Sequence, residues 1–282
     1  MSYPSFFDIA KDFKVIMLDS YGVIKNHQGQ IEGANNTIQW IKDQGKTFRI
    51  LTNDASRSRK QQKESLAKIG LDNIELHEIV TSGMMAKNFL KQKIKDGKIA
   101  YLGTENSAEY ILQSGLEHIA VSDINLNNLD DISAFVFLDD EGFDWNTDIN
   151  KTVNILRKKT MPVILANSDK FYPVAKHDVA VATGGIAKLV ESMLHRKFIH
   201  FGKPDSQMFM YAYERLTDEL GEIDKSDILM VGDTLETDIL GGNKFGVKTM
   251  LVLSGNTREE KAPLNIQSTG IIPDFICHSI MK

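Results

Sequence analysis

Strand-forming apolar runs punctuate the chain from near its start to near its end. FKVIML (13–18), TFRILT (47–52), DILMVGD (227–233) and VKTMLVL (247–253) read as buried strands. Between the first two lies NNTIQWIKDQG (35–45), whose apolar positions fall on one helical face and which Gly45 closes. SRSRKQQKESLAKIG (56–70) follows as a second helix, with Ser56 as its expected cap and Gly70 as its stop, and IVTS (79–82) as a short third strand. Strand and helix in regular alternation predict α/β architecture, a Rossmann-like, doubly wound parallel sheet.

The middle of the chain repeats the rhythm. IAYLG (99–103), the helix ENSAEYILQSG, the strand SAFVFLDD (133–140), the helix TDINKTVNILRKK and the strand PVILAN (162–167) follow in turn. The next helix, GGIAKLVESMLHRK, is expected to bury Ile186, Leu189, Val190 and Met193 or Leu194. The helix QMFMYAYERLTDEL then leads back to the apolar strands of the last part. GGNKFG (241–246) lacks the strand–turn–helix setting of a dinucleotide loop and reads as a helix end.

Composition narrows the function classes. A net charge of −5 gives no electrostatic reason for nucleic acid or an anionic membrane as partner. One cysteine, Cys277, supplies neither a disulfide framework nor a thiolate zinc site. The first residues, MSYPSFFDIAKDFK, lack the basic and apolar regions of a signal peptide. No apolar run approaches the ~20 residues of a membrane span. A cytoplasmic protein is the expectation.

In open parallel sheets, ligands lie beyond the carboxyl ends of the strands. Three predicted strands end in residues suited to phosphate and a metal: Asp19, Thr52-Asn53 and Gly232-Asp233. Each alone has an ordinary explanation, since Asp, Thr and Asn cap turns and helices. HFGKPD (200–205) could be a plain turn, and the acids of GDTLETD (232–238) could merely favour a helix start. Their joint order is harder to attribute to capping. A carboxylate nucleophile, a hydroxyl, a lysine and an acid pair are the parts that phosphoryl transfer needs. Mg²⁺ takes oxygen ligands and keeps several waters, so few protein carboxylates suffice for it.

These segments resemble the haloacid dehalogenase superfamily, in its NagD-like, type IIA branch of phosphatases with a large α/β cap. LDSYGVI is similar to the first family motif except at Tyr21, LTNDASRSR to the second, GKP to the third and GDTLETD to the fourth. The long insertion between the second and third fits the branch, with VTSGMMAKNFL and YLGTENSAEYIL leading into the cap and LANSDKFYP (165–173) facing substrate. The resemblance implies a core from residues 1–81 and 199–282 and an inserted cap from 82–198. It makes Asp19 the nucleophile and a Mg²⁺ ligand, with the main-chain oxygen of Tyr21 and Asp233 as further ligands. Asp238 would bind Mg²⁺ through water or orient Lys203. Thr52, Asn53 and Lys203 would hold the phosphoryl group, and Lys203 would also pair with Asp19. Asn167 and Asp169 would contact substrate from the cap. A small phosphorylated metabolite would be the partner, and a homodimer through the cap is compatible with the branch. Arg57, Arg59, His195 and His200 read as ordinary surface or helix residues.

Tyr21 stands where the usual phosphatase pattern has a second aspartate, the general acid and base. Such help is worth ~10²–10⁴ in rate. A phenol with a reference pKa of ~10 donates a hydrogen bond but is a poor base at neutral pH. Three outcomes are open: a phosphatase favouring good leaving groups, a phosphatase drawing its acid and base from the cap (His177, Asp169 or Asp178), or a site that binds phosphate and Mg²⁺ with little turnover, as a sensor would. Asp-x-Tyr-Gly also resembles the first motif of the haloacid dehalogenases. The insertion after LTN and the acid pair in GDTLETD weigh against that alternative.

Overall fold

The computed structural model describes residues 3–175 and 178–281. Two parallel sheets dominate it. The larger has six strands, and its two inner neighbours flank Val15–Leu18: Ile228–Gly232 on one side and Thr47–Thr52 on the other. Lys248–Val252 and Phe275–Cys277 extend one edge, and Ile79–Thr81 closes the other. The central strand is VIML and wholly buried, as expected for a strand covered on both faces. Its side chains alternate. Ile16 and Leu18 join one apolar cluster with Phe48, Ile50 and Val231, while Val15 and Met17 join another with Leu51 and Met230. Truncating one such side chain to alanine costs about 2–5 kcal/mol.

The smaller sheet has five strands in the order Ile199–His200, Val163–Leu165, Ile132–Phe137, Lys98–Leu102, Glu117–Ala120. The cluster built on Val15 and Met17 continues through Met84, Met85 and Phe201 to Tyr101, Val136 and Ile164 of this second sheet. One apolar body therefore joins the two units at that end. Ile199–His200 pairs with Val163–Leu165, so these two residues complete the smaller sheet. A separate antiparallel hairpin, Phe171–Pro173 with Val179–Val181, projects from the smaller unit. Among the described residues no helix is long and apolar enough to cross a membrane.

Two local expectations need correction. Ser58, not Ser56, caps the second helix, which spans Arg59–Lys68; Ser58 and Gln61 form a reciprocal capping box. Ser56 is engaged one turn earlier, where its amide and hydroxyl both donate to Asp54 Oδ1. In the helix Thr183–Leu194, Leu189 and Met193 are about half exposed, at 46% and 55%. Ile186 and Val190 are buried as expected, and Ala187 and Glu191 are buried with them. Glu191 is admitted because it accepts from the Phe198 amide and pairs with His200. GGNKFG does end a helix, Leu240–Phe245, with Gly246 in the left-handed region at φ 88°.

Candidate active site

Three adjacent strands of the larger sheet deliver the site. Asp19 follows Val15–Leu18, and its amide donates to Val231 O at 2.9 Å, which fixes it at the sheet edge. Asn53 follows Thr47–Thr52, and Asp233 follows Ile228–Gly232. Lys203 arrives on the loop after Ile199–His200 and is 2% exposed. Its Nζ lies 2.5 Å from Asp19 Oδ1 and 2.8 Å from Asp238 Oδ1, and donates to Leu51 O at 2.8 Å. Burial opposes the charge on this lysine, but the two carboxylates outweigh it and hold its pKa above the ordinary value.

Asn53 locks Lys203 in place. Its Oδ1 accepts from the Lys203 amide at 2.7 Å, and its Nδ2 donates to Lys203 O at 3.0 Å. Gly202 between them has φ 98°, and a Cβ there would stand 2.6 Å from Asn53 Oδ1. The backbone must therefore pass too close for any side chain. Thr52 is buried at the strand end, and its Oγ1 accepts from the Asp54 amide at 3.2 Å.

Asp19, Asp233 and Asp238 bring carboxylate oxygens within 4.8 Å of one another. Asp233 is held by Thr234 Oγ1 at 2.8 Å and by the Asn256 amide at 2.7 Å. Burial, then the charge of Asp19, pushes its carboxyl up to about 7. Asp238 is raised too, chiefly by burial. It sits in a widened π-type turn, Leu235–Ile239, and its Oδ2 accepts from the Thr234 amide. Three carboxylates, two of them buried, against one lysine leave a surplus of negative charge when ionised. An oxygen-only donor set with that surplus fits a hard divalent cation.

The carboxylate of Asp233 also lies in a cradle without side chains. A Cβ at Gly22 would come 2.0 Å from its Oδ2, and one at Gly255 would come 1.8 Å.

The smaller sheet presents its own strand ends to the same cavity, about 1290 Å³ in volume. Thr104 follows Lys98–Leu102, Asp139 and Asp140 follow Ile132–Phe137, and Asn167 to Asp169 follow Val163–Leu165. Such a volume exceeds the ~300–1,000 Å³ of a typical ligand pocket, so it has room for a leaving group as well as a phosphoryl group. Asp169 Oδ1 accepts from Asn53 Nδ2 at 2.9 Å, and Ser168 Oγ donates to Lys203 O at 2.6 Å. Burial pushes Asp169 up to about 6, against the opposing pull of Lys203 and Asn53. Asn167 lines the cavity, but its Oδ1 accepts from the Asp169 amide at 3.0 Å, so it shapes the turn that places Asp169.

Tyr21 lines the cavity and spends its hydroxyl on the hairpin. The oxygen donates to Pro173 O of the hairpin at 2.5 Å. Burial, then Asp233, keeps the phenol above its ordinary pKa, so it is a donor. His177 lies outside the described residues. Arg57 donates to Ser65 Oγ and His200 pairs with Glu191, and both residues also line the cavity.

Asp139, Asp140 and Tyr172 are cavity residues that the sequence reading passed over. Asp139 is pushed up to about 6 by burial, and Tyr172 donates to Asp140 Oδ2 at 3.0 Å. The signal was present: the strand-end rule applies to the smaller sheet as well as to the larger.

Residues 16–117 match the haloacid dehalogenase-like hydrolases, and residues 200–280 match a second HAD-hydrolase-like description. A solved structure from Cytophaga hutchinsonii, described as a "possible sugar phosphatase, HAD superfamily", is 51% identical, covers 100% of this chain and 99% of its own, and superposes with a TM-score of 0.96. The chain belongs to the haloacid dehalogenase-like hydrolases.

Within this family it is also similar to p-nitrophenyl phosphatase from Archaeoglobus fulgidus, at 25% identity over 95% of this chain and 97% of the other, with a TM-score of 0.79. Among curated proteins, chronophin from Bos taurus is 25% identical over 97% of this chain and 93% of its own length. Glycerol-3-phosphate phosphatase from Gallus gallus is 27% identical over 94% and 89%. NagD from E. coli shares the fold, with a TM-score of 0.73.

Proposed function

We propose that the protein is a Mg²⁺-dependent phosphatase that hydrolyses a small phosphomonoester, such as a sugar or aryl phosphate, through an aspartyl-phosphate. The observation that carries this reading is Lys203, held between Asp19 and Asp238 at the ends of strands that also supply Asn53 and Asp233. The phosphatases among the relatives support a phosphoric monoester hydrolase.

In the first step an Asp19 oxygen attacks phosphorus. The bond from phosphorus to the leaving oxygen breaks as the acyl-phosphate bond forms, and the leaving oxygen takes up a proton. In the second step water attacks the same phosphorus and loses a proton. Phosphate departs and the Asp19 carboxylate is regenerated. Lys203, Thr52 and Asn53 hold the phosphoryl oxygens through both steps. Mg²⁺, held by Asp19, Asp233 and the Tyr21 main-chain oxygen, would neutralise negative charge on those oxygens. Asp238 orients Lys203, the role its 2.8 Å contact supports. Asp169 is our candidate for the proton transfers, because it reaches the site through Asn53 and is raised to about 6.

We keep the division into a core (1–81 and 199–282) and a cap (82–198), with Ile199–His200 completing the cap sheet. We also propose that copies pair through the cap. Phe171 stands opposite Val181 and Pro173 opposite Val179, which puts all four on one hairpin face, and three of them are 48–58% exposed. Light scattering on wild type and Val179→Glu tests this; a monomeric wild type would refute it.

The activity is tested by phosphate release from a panel of aryl and sugar phosphates, with Mg²⁺ and with chelator. Release should require metal and vanish in Asp19→Asn; equal release from that variant would defeat the reading. A binding protein without turnover is the second reading, favoured by the engagement of Tyr21 with Pro173. Metal-dependent phosphate binding with no hydrolysis of any ester would select it.

A further inference from the structure

We propose that Tyr21 is a positioning residue, a latch that holds the cap hairpin closed over the site through the bond from its hydroxyl to Pro173 O. Only the kinetic part of the test rests on the phosphatase reading.

The bond joins the loop after the nucleophile to a cap residue 152 positions away, at 2.5 Å and partly buried. Among the described residues, the other polar contacts between this cap segment and the core fall nearer its start. Ser168 and Asp169 bond to Asn53, and Ser168 also bonds to Lys203 O. Lys170 pairs with Glu236 at 2.9 Å, but both are 58% exposed, so water and salt screen that pair. Tyr21 therefore anchors the end of the segment that those contacts leave free.

Chemistry explains why this position takes a tyrosine if it is to latch. The acceptor is a main-chain carbonyl, so its partner must carry a proton. A phenol does so; an ionised carboxylate only accepts, and its side chain is shorter by a ring. The residue that replaces the usual acid thus gains reach and a permanent donor while losing basicity.

The latch also shapes the leaving-group side of the cavity. Pro173 lies next to Tyr172, whose hydroxyl donates to Asp140, and in the same strand as Phe171; both aromatic residues line the cavity. Releasing Pro173 frees that wall as a unit, because Phe171 and Pro173 are paired to Val181 and Val179.

Two measurements on Tyr21→Phe decide the matter. The first is amide hydrogen exchange of purified full-length protein with Mg²⁺ and orthovanadate. A single neutral hydrogen bond is worth about threefold to tenfold in an equilibrium. The amides of Phe171, Tyr172 and Val179–Val181 should therefore exchange about that much faster in the variant, with Val15–Leu18 and Ile132–Phe137 unchanged. The second is steady-state kinetics on one aryl and one alkyl phosphate. KM should rise about threefold to tenfold for both, with the ratio of their kcat values unmoved. Unchanged hairpin exchange would overturn the latch. So would a kcat loss confined to the alkyl ester at constant KM, which would make the hydroxyl a proton donor to the leaving group. A wild type that releases no phosphate would sink the phosphatase reading alone, and the exchange result would still decide the latch.

Discussion

Lys203 and Asp19 form a buried pair with Nζ 2.5 Å from Oδ1, and Asp238 completes it from the other side at 2.8 Å. Lys203 is the cation in contact with both carboxylates, and its proposed place in phosphoryl binding makes its charge the one to remove.

Lys203→Met keeps much of the volume and removes the charge. Phosphate release should fall by about a hundredfold to a thousandfold, the scale seen when a preorganised charge donor is lost. Stability should fall as well, because breaking a buried pair leaves an uncompensated charge worth about 3–5 kcal/mol. The loss should sit near the low end, since Asp233 is already pushed up to about 7 and takes a proton readily. Thermal melting checks this, and added Mg²⁺ should restore part of the Tm by supplying positive charge to the same carboxylates.

The raised carboxyls fix the sign of the pH dependence. An unfolded aspartate titrates near ~3.9, whereas burial holds Asp233 at about 7. Between those values the native state retains a proton that the unfolded chain has released. Metal-free protein should therefore lose stability as pH rises from about 4 to about 7, with the loss levelling off above 7. Mg²⁺ binds the ionised form and should flatten or reverse the slope over that window. Tm measured across pH with chelator and with Mg²⁺ tests both statements; a metal-free Tm that climbs from pH 5 to 8 would contradict them.

The cradle around Asp233 yields a prediction independent of catalysis. A Cβ at Gly255 would stand 1.8 Å from Asp233 Oδ2, so Gly255→Ala must displace that carboxylate. Mg²⁺ affinity, read by calorimetry, should drop at least about tenfold, as when groups that orient a metal ligand are disturbed. Gly115→Ala, strained at φ 87° but with nothing within 4 Å of its Cβ, controls for a general loss of stability. An unchanged affinity in Gly255→Ala would remove Asp233 from the metal site.

Much of this site was legible because buried parallel strands announce their ends. VIML, TFRILT and ILMVG are apolar or β-branched apart from Arg49, and the polar residues that follow must lie beyond the carboxyl end of the sheet. That rule brought Asp19, Asn53 and Asp233 to one end of the sheet, while their roles and that of Lys203 came from the family resemblance. What stayed hidden depends on contacts remote in sequence. The direction of Tyr21 is set by where Pro173 falls, and that depends on how the second sheet shares the apolar cluster around Met84 and Phe201. The hairpin was missed because its strands hold only three residues each, too few for alternation to register. Gln61 three residues on favours Ser58 as the cap, and Ser56 is engaged by Asp54 instead.

Asp169 is where the missing acid and base would be supplied, and Asp169→Asn isolates that role. Asparagine keeps the shape and an oxygen to accept from Asn53 Nδ2, so the 2.9 Å contact should survive. It cannot give or take a proton. If Asp169 serves proton transfer, kcat for alkyl phosphates should fall by about 10²–10⁴. Aryl phosphates, whose leaving oxygens need little protonation, should lose far less in the first step. Wild-type activity should also show an ionisation near the Asp169 value of about 6, and that feature should disappear from the variant's pH profile. If both esters fell equally and the ionisation persisted, Asp169 would be placing substrate rather than moving protons. The acid and base would then have to come from water or from another group on the cavity wall, of which Asp139, raised to about 6 by burial, is the next to substitute.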